Sequence, residues 1–523
     1  KDGVLATQWE KTRTEDNGLI KMDILGLNTL TQINEALEII EERHGKVIAM
    51  DDIPVDDEKT FENISNGNNI GVFQLESSLS PLCQKIKPKD VRMISDINAL
   101  GRPSCSAQDR KDYVRRRFGV EKVKYRDPSL AGALESTFGV SLYEEGMMRI
   151  AKDCAGWDLN QADALRKITK LKGKDKDLVL RTETSFIKDC MNVSGMKYKK
   201  AKEIWDFEIM PFGEYGFNLS HSVAYSHISV YTAWLKTNYP TEFMCSLLNS
   251  ENSNSDKSQT YLSACKKMEI KILPPHINNS NDKYRVSDNS SLYSGFSCVK
   301  GVGEKALNEI VSMKPYDSFY DFLVKVNSRV VNKTSIQSLA KAGAFDCFNI
   351  SRKEAFENYA KIRTKAKNYI KKKETLEGLP EFSGDEWDRK DILIGEREVL
   401  GRTVSGNLSE AYEGFFSENA VVAKLSEVPT FKEKRVVKVE AIIKNKVKEF
   451  KIKKGKNIGR KFAKYLVEDR WGGTCELTVW TEDYEKYGNK LMDGIPFKAI
   501  CVVSVYMDNK DLALKKLERV YGG

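Results

Sequence analysis

The chain has 523 residues, 41% hydrophobic and 30% charged, a balance that excludes a disordered or fibrous protein and allows about three to five domains. No apolar run reaches the roughly 18 residues of a membrane-spanning helix. Its 84 Lys+Arg against 75 Asp+Glu leave a net +9, too mild an excess to name a polyanionic partner by itself.

In chain order, residues 18–24 (Gly-Leu-Ile-Lys-Met-Asp-Ile) read as a strand. Leu30, Ile33, Leu37 and Ile40 then mark a helix that Gly45 closes. Residues 46–75 are loop-rich, with an acidic cluster at Asp51, Asp52, Asp56, Asp57 and Glu58. From about 77 to 270 the pattern is mainly helical, ending near a polar linker at 250–258. Short strands are expected over 271–300 and small helices over 301–348. A lysine-rich helix follows at 349–373, and then a poorly patterned, flexible stretch at 374–390. Five β-rich runs close the chain: Val436–Ile443, Lys461–Glu468, Thr474–Thr481, Phe497–Tyr506 and Leu512–Arg519. With a helix at Thr481–Met492 after the third run, they predict an OB-fold barrel. The fold class is therefore multidomain, α/β and α+β, mostly helical and ending in a β-barrel.

The ten cysteines are scattered without a Cys-x-x-Cys pair, and there are four histidines. Zinc of ordinary spacing is not expected, and dispersed thiols fit a reducing, cytoplasmic setting. The first residue is Lys1, and no charged-then-apolar leader follows it, which reads as a cut, processed or split chain without a secretory signal.

Five constellations could carry chemistry. Lys21 and Asp23, two apart on a strand, face the same way, as a magnesium–phosphate site needs; a surface ion pair is the plainer alternative. Arg166, Lys167, Lys170, Lys172, Lys174 and Lys176 stack positive charge, with Arg166 and Lys170 on one helical face, either for phosphate or as a solvated basic helix. Tyr215–Tyr225 interleaves aromatics with Asn218, Ser220 and His221, and a helix starting near Ser220 would offer amides to an anion. His221 beside Ser222 lacks a nucleophile elbow, so a hydrolase is not expected. Val299-Lys300-Gly301-Val302-Gly303-Glu304-Lys305 has the form of a helix–hairpin–helix, which grips phosphate without reading sequence. Between Lys444 and Lys464 stand ten Lys/Arg, among them Lys453, Lys454, Arg460 and Lys461, against the single acid Glu449. Phe450 and Phe462 lie among them, a mixture suited to single-stranded nucleic acid. The seven basic residues of Lys361–Lys373 read as a plain charged helix.

These strings occur in the order found in the bacterial replicative DNA polymerase III alpha subunits, the C family of DNA polymerases, which the chain resembles over most of residues 4–408. The matching strings include Gly18–Leu27, Asp52–Asp57, Gly71–Ser77, Arg102-Pro103, Tyr143-Glu-Glu145, Ala162–Arg166 and Tyr215–Ser222. Further on come Tyr239–Phe243, Ile272–Pro275, Val299–Gly303, Ala342–Asp346 and Gly395–Gly401. The resemblance implies the end of the polymerase palm at 1–45, fingers at 46–270 and tandem helix–hairpin–helix motifs at 271–348. A basic helix and linker at 349–434 and an OB domain at 435–523 would complete the chain. It implies primer extension: a primer 3′-hydroxyl attacks the α-phosphorus of a deoxynucleoside triphosphate at two Mg2+ ions. Asp23 would be one of three palm carboxylates on the metals, and Lys21 would lie near the nucleotide. Arg166, Lys167 and His221, with Lys170 and Asn218, would meet the triphosphate.

Two departures accompany the match. The family's Asp-x-Asp pair has no counterpart before Asp23, so a second polypeptide or a missing N-terminal part would supply the other carboxylates. Arg102-Pro-Ser-Cys105 stands where the family has Arg-Pro-Gly-Pro, and Gly and Pro fix a turn. No sliding-clamp peptide is found near 370–385, so clamp binding is not carried over. The resemblance fits a divergent or split replicase, bacterial or virus-encoded, acting in the bacterial cytoplasm on primer–template DNA with no membrane partner. Two rivals remain: a non-catalytic DNA-binding accessory and a single-strand binding scaffold acting through 435–520.

Overall fold

This computed structural model describes residues 7–10, 13–14, 17–19, 26–102, 105–169, 175–211, 216–251, 255–373, 375–382, 384–412, 414–417, 421–452, 458–506 and 509–521. The strand expected at 18–24 therefore lies largely outside the described residues. The chain divides into two units, Lys1–Ala264 and Cys265–Gly523.

In the first unit, helix α1 (Asn28–His44) buries Ile33, Ala36 and Ile40, and its last turn closes on Gly45 at φ 63°. Leu30, expected on the inner stripe, is instead exposed. Helix α2 (Glu58–Ser65) occupies part of the stretch read as loop: the Asp57 side chain accepts the Thr60 N–H at 3.1 Å. One member of the acidic cluster is thus a helix cap, the commonest use of Asp before an apolar run.

Helix α3 (Val91–Leu100) packs against the long helix α7 (Leu219–Asn238). In the chain between these two, α4 (Glu144–Ala155), α5 (Leu159–Thr169) and α6 (Lys176–Ser194) gather around a separate core at Trp157, Phe186 and Trp205. The buried side of α7 includes a run of small polar residues, Ser222, Ser226, Ser229 and Thr232, beside Val230, Ala233 and Leu235. Small side chains let α3 come close. The Ser222 hydroxyl donates to the Ser95 carbonyl at 3.1 Å, and the Asn98 amide donates to the Ser226 hydroxyl at 3.1 Å.

The second unit begins with a three-stranded sheet in the order β1 (Lys271–Leu273), β3 (Ser291–Tyr293), β2 (Arg285–Asp288). Helices α8 (Glu304–Ser312), α9 (Phe319–Lys325) and α10 (Lys333–Ala342) follow, then α11 (Arg352–Lys373) and α12 (Arg389–Leu400). Ile310, Phe319, Phe322, Leu339, Phe345, Ile362 and Val399 share one core. The described part of 374–390, expected to be flexible, packs back: Phe382 stacks on Tyr320 at 4.7 Å and Trp387 meets Phe356 at 5.3 Å. A few aromatics anchor a segment that has no periodicity to reveal it.

Strands β4 (Val436–Lys451), β5 (Lys461–Glu468), β6 (Thr474–Val479), β7 (Pro496–Tyr506) and β8 (Asn509–Val520) form a closed barrel in the order β4-β5-β6-β8-β7. With α13 (Thr481–Tyr487) between the third and fourth strands, this is the OB-type barrel the sequence predicts. β4 continues to Lys451 rather than ending at Ile443, because its basic second half pairs with β5 from Asn445↔Leu466 to Lys451↔Lys461. The helix α13 ends at Tyr487 rather than Met492.

A buried ion pair braces the second unit. Arg352 reaches Glu396 at 2.8 Å and Asp346 at 2.7 Å, and Glu396 is 0% exposed. The second carboxylate oxygen of Glu396 accepts the Val404 and Ser405 amides at 2.8 and 3.0 Å. Removing one partner strands the other charge. Glu396→Ala is therefore expected to destabilise this unit by about 3–5 kcal/mol, measured by urea unfolding, with Glu396→Gln milder because the amide acceptor survives.

Candidate functional site

The segment Tyr143-Glu144-Glu145 joins two elements that bear predicted phosphate-binding residues. Tyr143 forms a parallel bridge with Phe217, and the Glu144 N–H donates to the Phe217 carbonyl at 2.9 Å. The Glu145 carboxylate accepts the Leu219 N–H at 2.9 Å and the Asn218 side-chain amide at 3.0 Å. It thus sits at the N-terminus of α7, where orphan amides and the helix dipole favour a negative charge. Asn218 completes the cap by accepting the His221 N–H at 2.8 Å. The sequence offered these amides to an anion; the structure has filled them with a carboxylate and an amide oxygen of the chain itself.

Glu144 turns the other way. Its carboxylate lies 3.5 Å from Arg166 on α5, and Asp163 lies 3.1 Å from the same guanidinium. The Arg166 side chain is 37% exposed, so its fork is held but still reachable. Lys167 is exposed on the next position of α5, and His221 is exposed on the first turn of α7 with its ring 4.3 Å from Tyr225. The motif therefore ties Arg166 to the start of α7, where His221 stands. Lys21, Asp23 and Lys170 lie outside the described residues, and among the described residues no group of three or more His, Cys, Asp or Glu is placed to hold a metal ion.

A polar network behind the motif holds it in register. Tyr143 and Tyr113 donate to the two oxygens of Asp96 at 2.6 and 2.7 Å, and Arg92 approaches at 3.5 Å. Burial lifts the Asp96 carboxyl above its ordinary range, against the pull of both phenols and Arg92. Arg102 lies over the Phe217 ring at 3.7 Å, which brings two separate matching strings together. Sequence reading did not assign Glu144, Glu145, Asp96 or Arg102 to the site. The usable signal was two adjacent acids at a helix start, which chain order alone does not connect to α7.

At the hairpin, Gly301 has φ 97°, and a Cβ there would fall 2.6 Å from the Ser338 hydroxyl. Ser335 donates to the Gly301 carbonyl at 3.0 Å, which locks the turn onto α10. Gly303 has an ordinary φ of −80° and precedes α8 in open space. The turn therefore needs glycine at 301 for both conformation and clearance, whereas nothing in the described residues requires it at 303. Lys300 and Lys305 are exposed on either side, although the Lys300 N–H is used internally by the Val399 carbonyl at 2.8 Å.

On the barrel, Lys453 and Lys454 lie outside the described residues. Arg460 makes a two-pronged pair with Glu485 at 2.9 and 2.7 Å. Lys461 and Lys446 share Glu449 at 2.6 and 2.9 Å, and the Tyr484 hydroxyl joins them. That company pulls the Glu449 carboxyl down to about 2, with the Lys461 hydrogen bond the largest cause. The aromatics stand clear of this pairing. Phe450 stacks on Phe462 at 4.9 Å with planes 10° apart, and Phe462 meets Trp480 at 4.8 Å. Trp480 is 50% exposed. Sequence reading missed it by counting it as a strand end; Ala463↔Val479 in the β5–β6 ladder carries it beside Phe462.

A family model described as the bacterial DNA polymerase III alpha subunit finger domain matches residues 29–193, and a helix-hairpin-helix motif model matches 269–355. The DNA polymerase III subunit alpha of Aquifex aeolicus is 34% identical over 93% of this chain. The protein of the same name from Campylobacter jejuni is 33% identical over 94%, and that of Thermus aquaticus 32% over 96%. The chain belongs to the DNA polymerase III alpha family. It spans about two fifths of these relatives' length, 41% and 42% in the first two. The finger match contains Arg166 and the Tyr143–Glu145 motif, and the helix–hairpin–helix match contains Gly301 and Gly303.

The Asp96 network has a pH signature. Because the folded carboxyl titrates above its unfolded counterpart, its favourable contribution is complete below the unfolded pKa and is lost as pH rises through the folded one. Wild-type stability minus that of Asp96→Asn should therefore grow as pH is lowered from neutral towards 4. Urea unfolding of both proteins at several pH values checks this; a flat or falling difference would contradict it.

Proposed function

We propose that this chain takes part in template-directed DNA synthesis, with Arg166, Lys167 and His221 receiving the triphosphate of an incoming deoxynucleotide. The observation that carries the reading is the Tyr143–Glu145 motif, which binds Arg166 through one carboxylate and seats the His221 helix through the other. A guanidinium fork, an ammonium and an imidazole held on two braced helices suit spread negative charge, and such groups act most strongly when already in place. Asn218 serves by fixing the helix start, and Lys170 would extend the cationic row. Arg166 would exchange Glu144 and Asp163 for phosphate oxygens.

In this reading Asp23 carries metal and Lys21 meets phosphate, while the remaining palm carboxylates come from outside these 523 residues, on a longer or a second chain. Mg2+, when bound, would supply charge neutralisation at the reacting phosphate. Lys300, Gly301, Gly303 and Lys305 would hold the duplex through its backbone, without reading sequence. On the barrel, Phe450, Phe462 and Trp480 form a platform for unpaired bases. Arg460 and Lys461, with Lys453 and Lys454, would follow the strand, the first two only by leaving Glu485 and Glu449.

The aromatic platform also favours the second reading, a single-strand binding scaffold. The two part at the nucleotide. Titration of the chain with a fluorescent deoxynucleoside triphosphate is expected to show saturable binding that Arg166→Ala weakens about tenfold or more, the loss of one charge-assisted contact. A scaffold would show no such binding. Supplied with a polypeptide carrying the family's Asp-x-Asp palm, the chain should incorporate nucleotides on a primed template. Asp23→Asn should abolish incorporation and leave nucleotide titration unchanged in the absence of metal.

A further inference from the structure

Most of the described cations on the barrel hairpin and the lysines of α11 are in opposite states. On the barrel hairpin, Lys444, Lys446, Arg460, Lys461 and Lys464 each meet a carboxylate within 3.3 Å. On α11, Lys361, Lys365, Lys367, Lys371, Lys372 and Lys373 are all exposed, and no ion pair to any of them is formed among the described residues. The acids of the helix, Glu354 and Glu357, lie before this stretch, and Glu354 is turned to the Gly384 N–H at 3.0 Å.

Helical spacing sorts these charges. Lys361, Lys365 and Lys372 fall at i, i+4 and i+11 on one flank, and Lys367 and Lys371 fall four apart on the other. The side opposite these flanks is fixed: Ile362 and Ala366 are buried in the core shared with α9 and α10. The helix therefore cannot turn its lysines away, and like charges four apart repel one another along it. An isolated helix gains nothing from such a pattern, whereas a polyanion laid along it relieves the repulsion at every step.

We infer that the exposed side of α11 from Lys361 to Lys373 is a second backbone-gripping surface for duplex nucleic acid, in addition to the hairpin at Val299–Lys305. The inference rests on the DNA-binding reading proposed above. At 1.5 Å per residue, the lysine row is roughly 18 Å long. A straight duplex presents about ten phosphate charges over that length, at one per roughly 1.7 Å of axis. The row is straight because it is one helix, and it is rigidly joined to the hairpin module through α10. Gly301 is locked onto α10 by Ser335, and α10 meets α11 where the Gln337 amide donates to the Phe356 carbonyl at 3.2 Å. A stiff row suits a stiff duplex; the stacked aromatics of the barrel suit a flexible single strand. There is no base-reading pattern among the six residues, all lysine, so the contact is to phosphate and insensitive to sequence.

The test compares the full chain with a Lys361→Ala/Lys365→Ala/Lys372→Ala variant in binding to a blunt duplex of unrelated sequence over a range of KCl. Each phosphate contact contributes about 0.9 to the slope of log affinity against log salt. The variant should therefore lose about two to three units of slope and bind at least tenfold more weakly at low salt. The matching triple Arg variant should keep the wild-type slope, and thermal unfolding of all three proteins should coincide. Trp480→Ala should weaken single-strand binding and leave the duplex slope unchanged. Equal slopes for wild type and the Ala variant would overturn the inference while the duplex reading stands. So would lysine-dependent capture on phosphatidylserine vesicles without any change in duplex binding. Failure of the wild-type chain to bind duplex at all would remove the DNA reading, and this inference with it.

Discussion

The Glu145 carboxylate at the N-terminus of α7 is the contact on which the candidate site depends. A helix start carries unpaired amides and a partial positive charge, and here both are met by a residue from another helix rather than by solvent. That choice fixes where α7 begins, and so where His221 stands. It also fixes the neighbouring Glu144, whose carboxylate reaches Arg166. One dipeptide thereby sets the relation between two elements, the first about twenty residues after it and the second about seventy. Asp96, buried and held by two phenols, anchors the tyrosine before it.

Charge in this chain is informative by its partners rather than by its amount. The sequence concentrates cations on the barrel hairpin, yet the described ones are largely spent on carboxylates that fold beside them, Glu449 serving two lysines at once. The lysines of α11 look ordinary in composition and, among the described residues, form no such pairs on a helix whose inner side is pinned. A pairing of this kind is set by tertiary placement: Glu485 lies on α13 and Glu476 on β6, and neither is near its cation in sequence.

Much of the architecture was legible because it is periodic or conformationally demanding. The α1 stripe ending in Gly45, the five barrel strands and the glycine turn at 301 each have a local cause in backbone chemistry. What escaped was tertiary. Leu30 fits the α1 period but faces out. The basic run Lys444–Lys451 hides a strand, because a strand paired along a long hairpin ladder with β5 needs no apolar alternation to hold its register. Phe382 and Trp387 anchor a stretch with no pattern. At the site, Arg166 and His221 were found by residue type, whereas Glu144, Glu145 and Arg102 became visible only when separate strings met in space.

The central claim is that a deoxynucleotide's phosphates lie between the Arg166 helix and the start of α7. Photolabelling of the full chain with the γ-azidoanilide of dATP, whose reactive group is on the triphosphate, followed by peptide mapping, tests it most directly. The account predicts labelled peptides within residues 143–169 and 216–225, suppressed by excess unlabelled dATP. Label confined to the barrel at 436–520, or label that excess dATP does not suppress, would contradict it.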